Sequence, residues 1–279
     1  MITELLQYVF FRNAVAACVL AGLVCGLVGT YIVSRRMVFL AGGMAHASLG
    51  GVGVCALAGW SPMAGAAVAS LLAGWGVQSL AGRREVREDS AIAMLWALGM
   101  SLGIMCSYLA PDFLPGLSGY LFGNILLVGA ADLWALGALA LVVAGVYALC
   151  MPQIVTVSFD AEFAKSRRQP VAVVNYMMIS LVALSIVGAL KVAGVVLVIS
   201  LLSVPQMTAN LFCSRFSTMA ALSSGIAVAG CLCGLAAAVW LNVPCGVMIV
   251  AAVTTIYIVC RTIKRLSASF ERQRVCAKK

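Results

Sequence analysis

The chain carries a single imidazole, His46, within AGGMAHASLGGVG at 41–53. Neutral imidazole is a good donor to zinc, iron or manganese-type ions. An ionisable group inside a membrane-spanning segment marks a functional site by default, because burying it without a partner is costly. At helical spacing Gly42, His46, Gly50 and Gly53 share one stripe, so the ring projects from a face with little side-chain bulk. Either an open route runs along that face, or a second helix packs closely on it with His46 hydrogen-bonded across the contact. The lining of a pathway is the reading favoured here, with helix packing as its competitor.

A second polar group lies in VAGVVLVISLLSVPQMTANLFC at 192–213. Ser200, Ser203, Met207 and Asn210 fall on one side of a helix. Pro205 removes a backbone hydrogen bond in mid-span, and Gln206 and Thr208 add polar atoms beside the kink. Such helices at membrane depth face protein or a water-filled route, so this span is expected to wall a pathway. A third group, MPQIVTVSFDAEFAKSRRQP at 151–170, predicts a short cytoplasmic helix over Asp160–Arg168. Asp160 is its N-cap, Glu162 lies in the first turn, Arg167 and Arg168 near the end, and Pro170 follows. Phe159 and Phe163, four apart, share one face, either as a docking knob for a partner or folded against the bundle.

Other chemistry is missing. No GxxxxGK(S/T) phosphate loop, HExxH pair or nucleophile with a second histidine is present, and no pair of intramembrane aspartates. The chain is therefore expected not to be an enzyme, and any ATP use belongs to another chain. Glu88 and Asp89 open an apolar run and read as helix-start acids, as does Asp132, while Asp112 reads as an outer turn residue.

The elements that must position these residues are membrane helices. Of 279 residues, 63% are hydrophobic and 10% charged, with a mean hydropathy of +1.09. Continuous apolar windows, not short alternating strands, recur along the chain, so the fold class is an all-α integral membrane protein. No cleavable signal is expected, since MITELLQYVF carries Glu4 and no basic run. Of the eleven cysteines, Cys18, Cys25, Cys55, Cys106, Cys231 and Cys233 fall in apolar windows as small packing residues.

Charges and Pro/Gly turns mark about nine spans, near 13–34, 39–59, 62–82, 90–110, 131–150, 171–190, 192–213, 217–240 and 244–260. Residues 111–130 add a short re-entrant or surface helix. With the N-terminus outside and the C-terminus in the cytoplasm, sixteen of the eighteen Lys and Arg residues lie inside, only Arg12 and Lys191 outside. The net charge of +9 is thus an orientation signal and needs no nucleic-acid partner. Residues 1–265 are expected to form a single transmembrane domain and 266–279 a basic cytoplasmic tail.

Taken in order, these stretches resemble the permease subunits of bacterial zinc, manganese and iron ABC importers. GGMAHASLGGVG (42–53) is similar to that family's GDxxxHAxLxG-type element, and REDSAIAMLWALGMSLGI (87–104) to its EDxAIGI segment. SGYLFGNIL (118–126) resembles its SYLFG element, SFDAEFAKSRR (158–168) its FDxExA coupling helix, and LKVAGVVLVISLLSVPQMTA (190–209) its VGxLLVxALLxxPAATA span. The resemblance implies a transport subunit of the cytoplasmic membrane that works as a dimer of permeases, embedded in lipid, with two cytoplasmic ABC ATPases. An extracytoplasmic metal-binding protein would deliver the ion. Phe159, Asp160, Glu162 and Phe163 would seat in the ATPase, and His46 would lie on the ion route, with no permanently bound cofactor and ATP only on the partner.

Two positions depart from the pattern. Gly42 stands where many members carry Asp, and PAATA is Pro205-Gln206-Met207-Thr208-Ala209 here. Loss of that hard oxygen ligand, with Met44 or Met207 near His46, tilts the expected ion toward zinc or ferrous iron. The alternatives are a permease for a siderophore or cobalamin chelate, and a self-sufficient carrier or channel.

Overall fold

The computed structural model describes residues 7–80, 88–109, 123, 125 and 128–276. In a bilayer every backbone polar group must be satisfied within the protein, and a run of apolar residues does so by becoming a helix. The described chain is built that way: α1 (Val9–Ser34), α2 (Val38–Leu57), α3 (Pro62–Leu80), α4 (Glu88–Leu109), α5 (Ala130–Phe159), α6 (Ala161–Ser166), α7 (Val171–Leu201), α8 (Val204–Ala209), α9 (Phe216–Leu241) and α10 (Cys245–Cys276). Among the described residues eight helices are long and apolar enough to cross a membrane, and 194–209 forms a shorter apolar piece.

That shorter piece corrects the expected seventh span. Residues 192–213 do not form one helix kinked at Pro205. The helical path breaks first at Gly194, whose φ of 71° and ψ of 166° belong to a region essentially reserved for glycine. It breaks again at Leu202–Ser203, and Pro205 stands in the first turn of α8, where its missing N–H costs nothing. Two further expectations meet the limits of the described chain. Asp112 and most of 111–130, where the surface helix is expected, lie outside the described residues, with only 123, 125 and 128–130 described, and Arg83, Arg84 and Arg87 lie outside as well. The tail beyond 265 is not set off by a break, because α10 continues to Cys276.

The core centres on α1 and α7, with Tyr31, Ile32, Met178, Ile179, Ile186 and Leu190 fully buried. Membrane helices gain nothing from hiding apolar surface from lipid, so they associate where small residues let backbones touch. Between α2 and α4 this approach is extreme. A Cβ at Gly50 would stand 3.0 Å from the Gly99 carbonyl oxygen, one at Gly99 would stand 2.5 Å from the Ala47 Cα, and one at Gly103 would stand 2.8 Å from the Leu49 carbonyl oxygen.

At one end of the bundle the expected cytoplasmic segments meet. Arg35 donates through Nη1 to the Val157 carbonyl at 3.0 Å, Phe159 meets Phe216 edge-on at 6.4 Å, and Lys264 Nζ donates to the Leu211 carbonyl. Elsewhere in the bundle Asn13 Nδ2 donates to the Val128 carbonyl at 3.2 Å, tying the start of α1 to the segment before α5.

The α2–α4 contact generates a prediction. Gly99→Val should push the two backbones apart and cost roughly 1–3 kcal/mol by overpacking. Gly76→Ala, where nothing lies within 4 Å of the added carbon, should change nothing. Thermal unfolding in detergent compares the two.

Candidate functional site

His46 stands eight residues into α2, about 12 Å along the helix from Val38 at 1.5 Å per residue. Its ring is 9% exposed. Trp96 stacks on it with centroids 4.3 Å apart and planes 14° apart, and Nδ1 lies 3.0 Å from Met100 Sδ. Trp96 and Met100 are four apart on α4, so one face of that helix supplies both contacts. The glycine stripe divides in two. Gly50 and Gly53 seat α4 at backbone distance, and are therefore packing residues. At Gly42, by contrast, an added Cβ would meet only the Trp96 ring at 3.7 Å and Ile199 Cδ1 at 3.8 Å, which is ordinary contact. The imidazole thus faces α4, and the second half of α7 approaches α2 one turn earlier, where Ile199 lies beside Gly42.

The structure does not bring Met44 to His46. Two residues on a helix are about 200° apart, and Met44 is buried on the opposite side. There its Sδ and Cε lie 3.2 and 2.8 Å from the place a Gly74 Cβ would occupy, beside Ile179. Nor does the expected wall from Ser203 to Asn210 form one surface. Ser203 Oγ donates back to the end of α7 at the Ile199 carbonyl, 2.8 Å away, while Met207 and Asn210 are exposed. Gln206 is fully buried and serves as a peg. Its Nε2 donates to the carbonyls of Cys25 (2.9 Å), Gly26 (3.3 Å) and Leu201 (3.2 Å). Thr30 and Ser223 donate to the same Gly26 carbonyl at 3.0 and 2.9 Å. This polar knot fastens α8 to α1 and α9, and it leaves Ile199, not the Ser203–Asn210 face, beside Gly42 and His46.

Sequence reasoning missed Trp96 and Met100. Their spacing of four was the available signal, but both are apolar types in an apolar window and carry no mark of a site. A neighbouring cavity of about 610 Å³ between α2, α3 and α4 is lined by Gly50, Gly51, Val54, Trp60, Leu98 and Leu102 and offers an ion no charged donor.

The second site is α6. Asp160 Oδ1 accepts from the Phe163 N–H at 2.8 Å, the bond expected of an N-cap. Lys165 pairs with Glu162 at 2.8 Å, and Arg168 ends the turn in the left-handed region at φ 55°. Ala164 is buried against the bundle, whereas Phe159 and Phe163 are 67% and 48% exposed. Arg167 lies over the Phe163 ring at 5.2 Å and Phe159 rests edge-on against Phe216, so the two aromatics form a partly braced, outward surface.

The profile of the ABC 3 transport family matches residues 7–264. The chain belongs to the ABC 3 transport family. This ABC 3 family protein is 34% identical over 262 residues to an uncharacterized membrane protein of Synechocystis, covering 94% of this chain and 93% of that one. It is 30% identical over 261 residues to the manganese transport system membrane protein MntC of Halalkalibacterium halodurans, covering 91% and 87%. Among solved structures it is similar to a chain of PsaBC from Streptococcus pneumoniae in complex with Fab. There the TM-score is 0.85 at 28% identity, over 93% of this chain and 95% of that one.

The polar knot yields a test. Gln206→Ala removes the two amide protons shared among three carbonyls and leaves Gly26 with two side-chain donors, so this ABC 3 protein should lose roughly 1 kcal/mol of stability at about 0.6 kcal/mol per membrane hydrogen bond. Thermal unfolding of the purified variant reads the loss.

Proposed function

We propose that the chain is the membrane subunit of an ATP-binding-cassette importer that carries a divalent transition-metal ion past His46. The observation that carries the reading is the setting of that residue. It is the chain's only histidine, it lies within a membrane-spanning helix, and its one polar contact among the described residues is a thioether sulfur. A side chain placed there for packing alone would satisfy its ring nitrogens with hydroxyl or carbonyl partners, as Gln206 does with its amide nitrogen. The names of relatives such as MntC, a manganese transport protein, support the metal assignment. Family membership favours a permease over a self-sufficient carrier, and a membrane interior with so few ionisable groups gives such a carrier little to couple with.

In this reading α6 is the part moved by the ATPase. Its exposed Phe159 and Phe163 fill a cleft on the partner, while Asp160 keeps the helix formed and the buried Ala164 ties it to the bundle. The end of the bundle where Arg35, Arg167, Arg168, Arg215 and Lys264 gather faces the cytoplasm, which agrees with the positive-inside bias. The N-terminus then lies outside, where an extracytoplasmic protein delivers the ion. A second permease copy completes the translocating pair, and ATP is hydrolysed on the separate ATPase chains.

In cells expressing the chain with its ATPase and binding protein, His46→Ala should lower metal uptake about tenfold or more while the ATPase still co-purifies. Unchanged uptake would remove His46 from the route. Full-rate metal flux through the purified chain alone would contradict the subunit reading. Replacing both Phe159 and Phe163 by Ala should release the ATPase during purification without unfolding the membrane bundle, as gel filtration of the permease checks.

A further inference from the structure

Building on the transport reading of His46, we infer that Met100 is a second donor at that site, and that the imidazole–thioether pair selects zinc(II) or iron(II) over manganese(II). The two donors lie within reach of one ion. Imidazole nitrogen binds zinc at about 2.0–2.1 Å and cysteine sulfur at about 2.3 Å, so two such donors on one tetrahedral ion stand about 3.5–3.6 Å apart. His46 Nδ1 and Met100 Sδ are separated by 3.0 Å. The neutral tautomer with its proton on Nε2 presents the Nδ1 lone pair toward the sulfur, and a small side-chain rotation at Met100 opens the pair to the separation of two donors on one ion.

The neighbours hold this pair in place. Trp96, one turn before Met100, covers one face of the ring at 4.3 Å. The backbone contact of Gly99 with Ala47 fixes the residue next to Met100 against the residue next to His46. The donor set is as informative for what it lacks. Among the described residues no group of three His, Cys, Asp or Glu side chains gathers, and the carboxylate nearest in sequence on α4, Asp89, is exposed at the helix start, two turns before Trp96. Gly42, one turn before His46, supplies no oxygen. Manganese(II) favours carboxylate, carbonyl and water oxygens and is the weakest binder in the divalent series at nitrogen sites, whereas thioether and imidazole suit later, softer ions. The manganese named for some relatives is therefore not the ion this pair selects.

Equilibrium binding of zinc(II) and of manganese(II) to the purified permease–ATPase complex tests this apart from any selection by the extracytoplasmic protein. The informative zinc is the one per chain that His46→Ala removes, which separates it from zinc held by cysteines. Met100→Leu should weaken that zinc about tenfold or more and leave manganese binding unchanged. Gly42→Asp, whose Cβ makes only ordinary contacts, should strengthen manganese binding by a similar factor and so reverse or narrow the preference. Unchanged zinc affinity in an assembled Met100→Leu complex overturns the inference, as does an equal loss for both ions, which would make Met100 a ring-orienting residue. If Met100→Leu does not assemble, Gly42→Asp decides, and an unmoved zinc-to-manganese ratio overturns the proposal. Loss of uptake in His46→Ala together with an unmoved Met100→Leu would sink this inference alone and leave the transport reading standing.

Discussion

The backbone contact between α2 and α4 governs the site. Because Gly50, Gly99 and Gly103 have no side chains, the two helices lie so close that carbonyls and Cα atoms touch. That approach delivers His46 to Trp96 and Met100. Were α4 held at the usual interaxial distance of about 8–10 Å by larger side chains, the imidazole would lose its stacking partner and its sulfur neighbour together. Small residues here are structural in purpose and functional in consequence, since the packing that they permit is what gives an apolar membrane interior one oriented nitrogen donor.

A second constraint comes from the broken path of the chain after Gly194. A membrane helix interrupted at Leu202–Ser203 leaves carbonyls without their helical donors, and in lipid each such orphan costs several kcal/mol. Gln206 answers part of that need by donating to Leu201, and it reaches on to Cys25 and Gly26 in α1. The irregular segment is thereby held inside the protein, with Ile199 turned toward Gly42. Broken helices are tolerated at membrane depth where protein encloses them or where they line a cavity, and here the polar bonds from Gln206, Thr30 and Ser223 show enclosure by α1 and α9.

Much of this was legible in the residues. Apolar windows located the helices because a continuously apolar run, unlike the alternating strands of a barrel, satisfies its backbone in lipid by coiling into a helix. Asp160 announced the start of α6, since a carboxylate placed three residues before a free N–H caps it at any depth of burial. His46 announced itself by being an ionisable group where ionisable groups are expensive. The failures were tertiary. Gly194 in an apolar run reads as an ordinary membrane glycine, and its positive φ is set by the packing around it. Pro205 looked like a kink because the break that makes it a first-turn residue is produced by distant bonds from Gln206. Met44 lies close to His46 in sequence but on the far side of α2, whereas Met100, fifty-four positions away, is its actual neighbour. No periodicity within one helix reports which side chains of another helix will face it.

The account rests on a metal ion passing the imidazole of His46. An anomalous-scattering map recorded at the zinc edge from crystals of the complete permease–ATPase complex soaked in zinc(II) examines that step directly. A peak about 2.0–2.4 Å from a His46 ring nitrogen, the range of zinc bonds to nitrogen and sulfur, is the predicted result. A peak elsewhere in the membrane region, with His46 packed only against Trp96 and Met100, would contradict it.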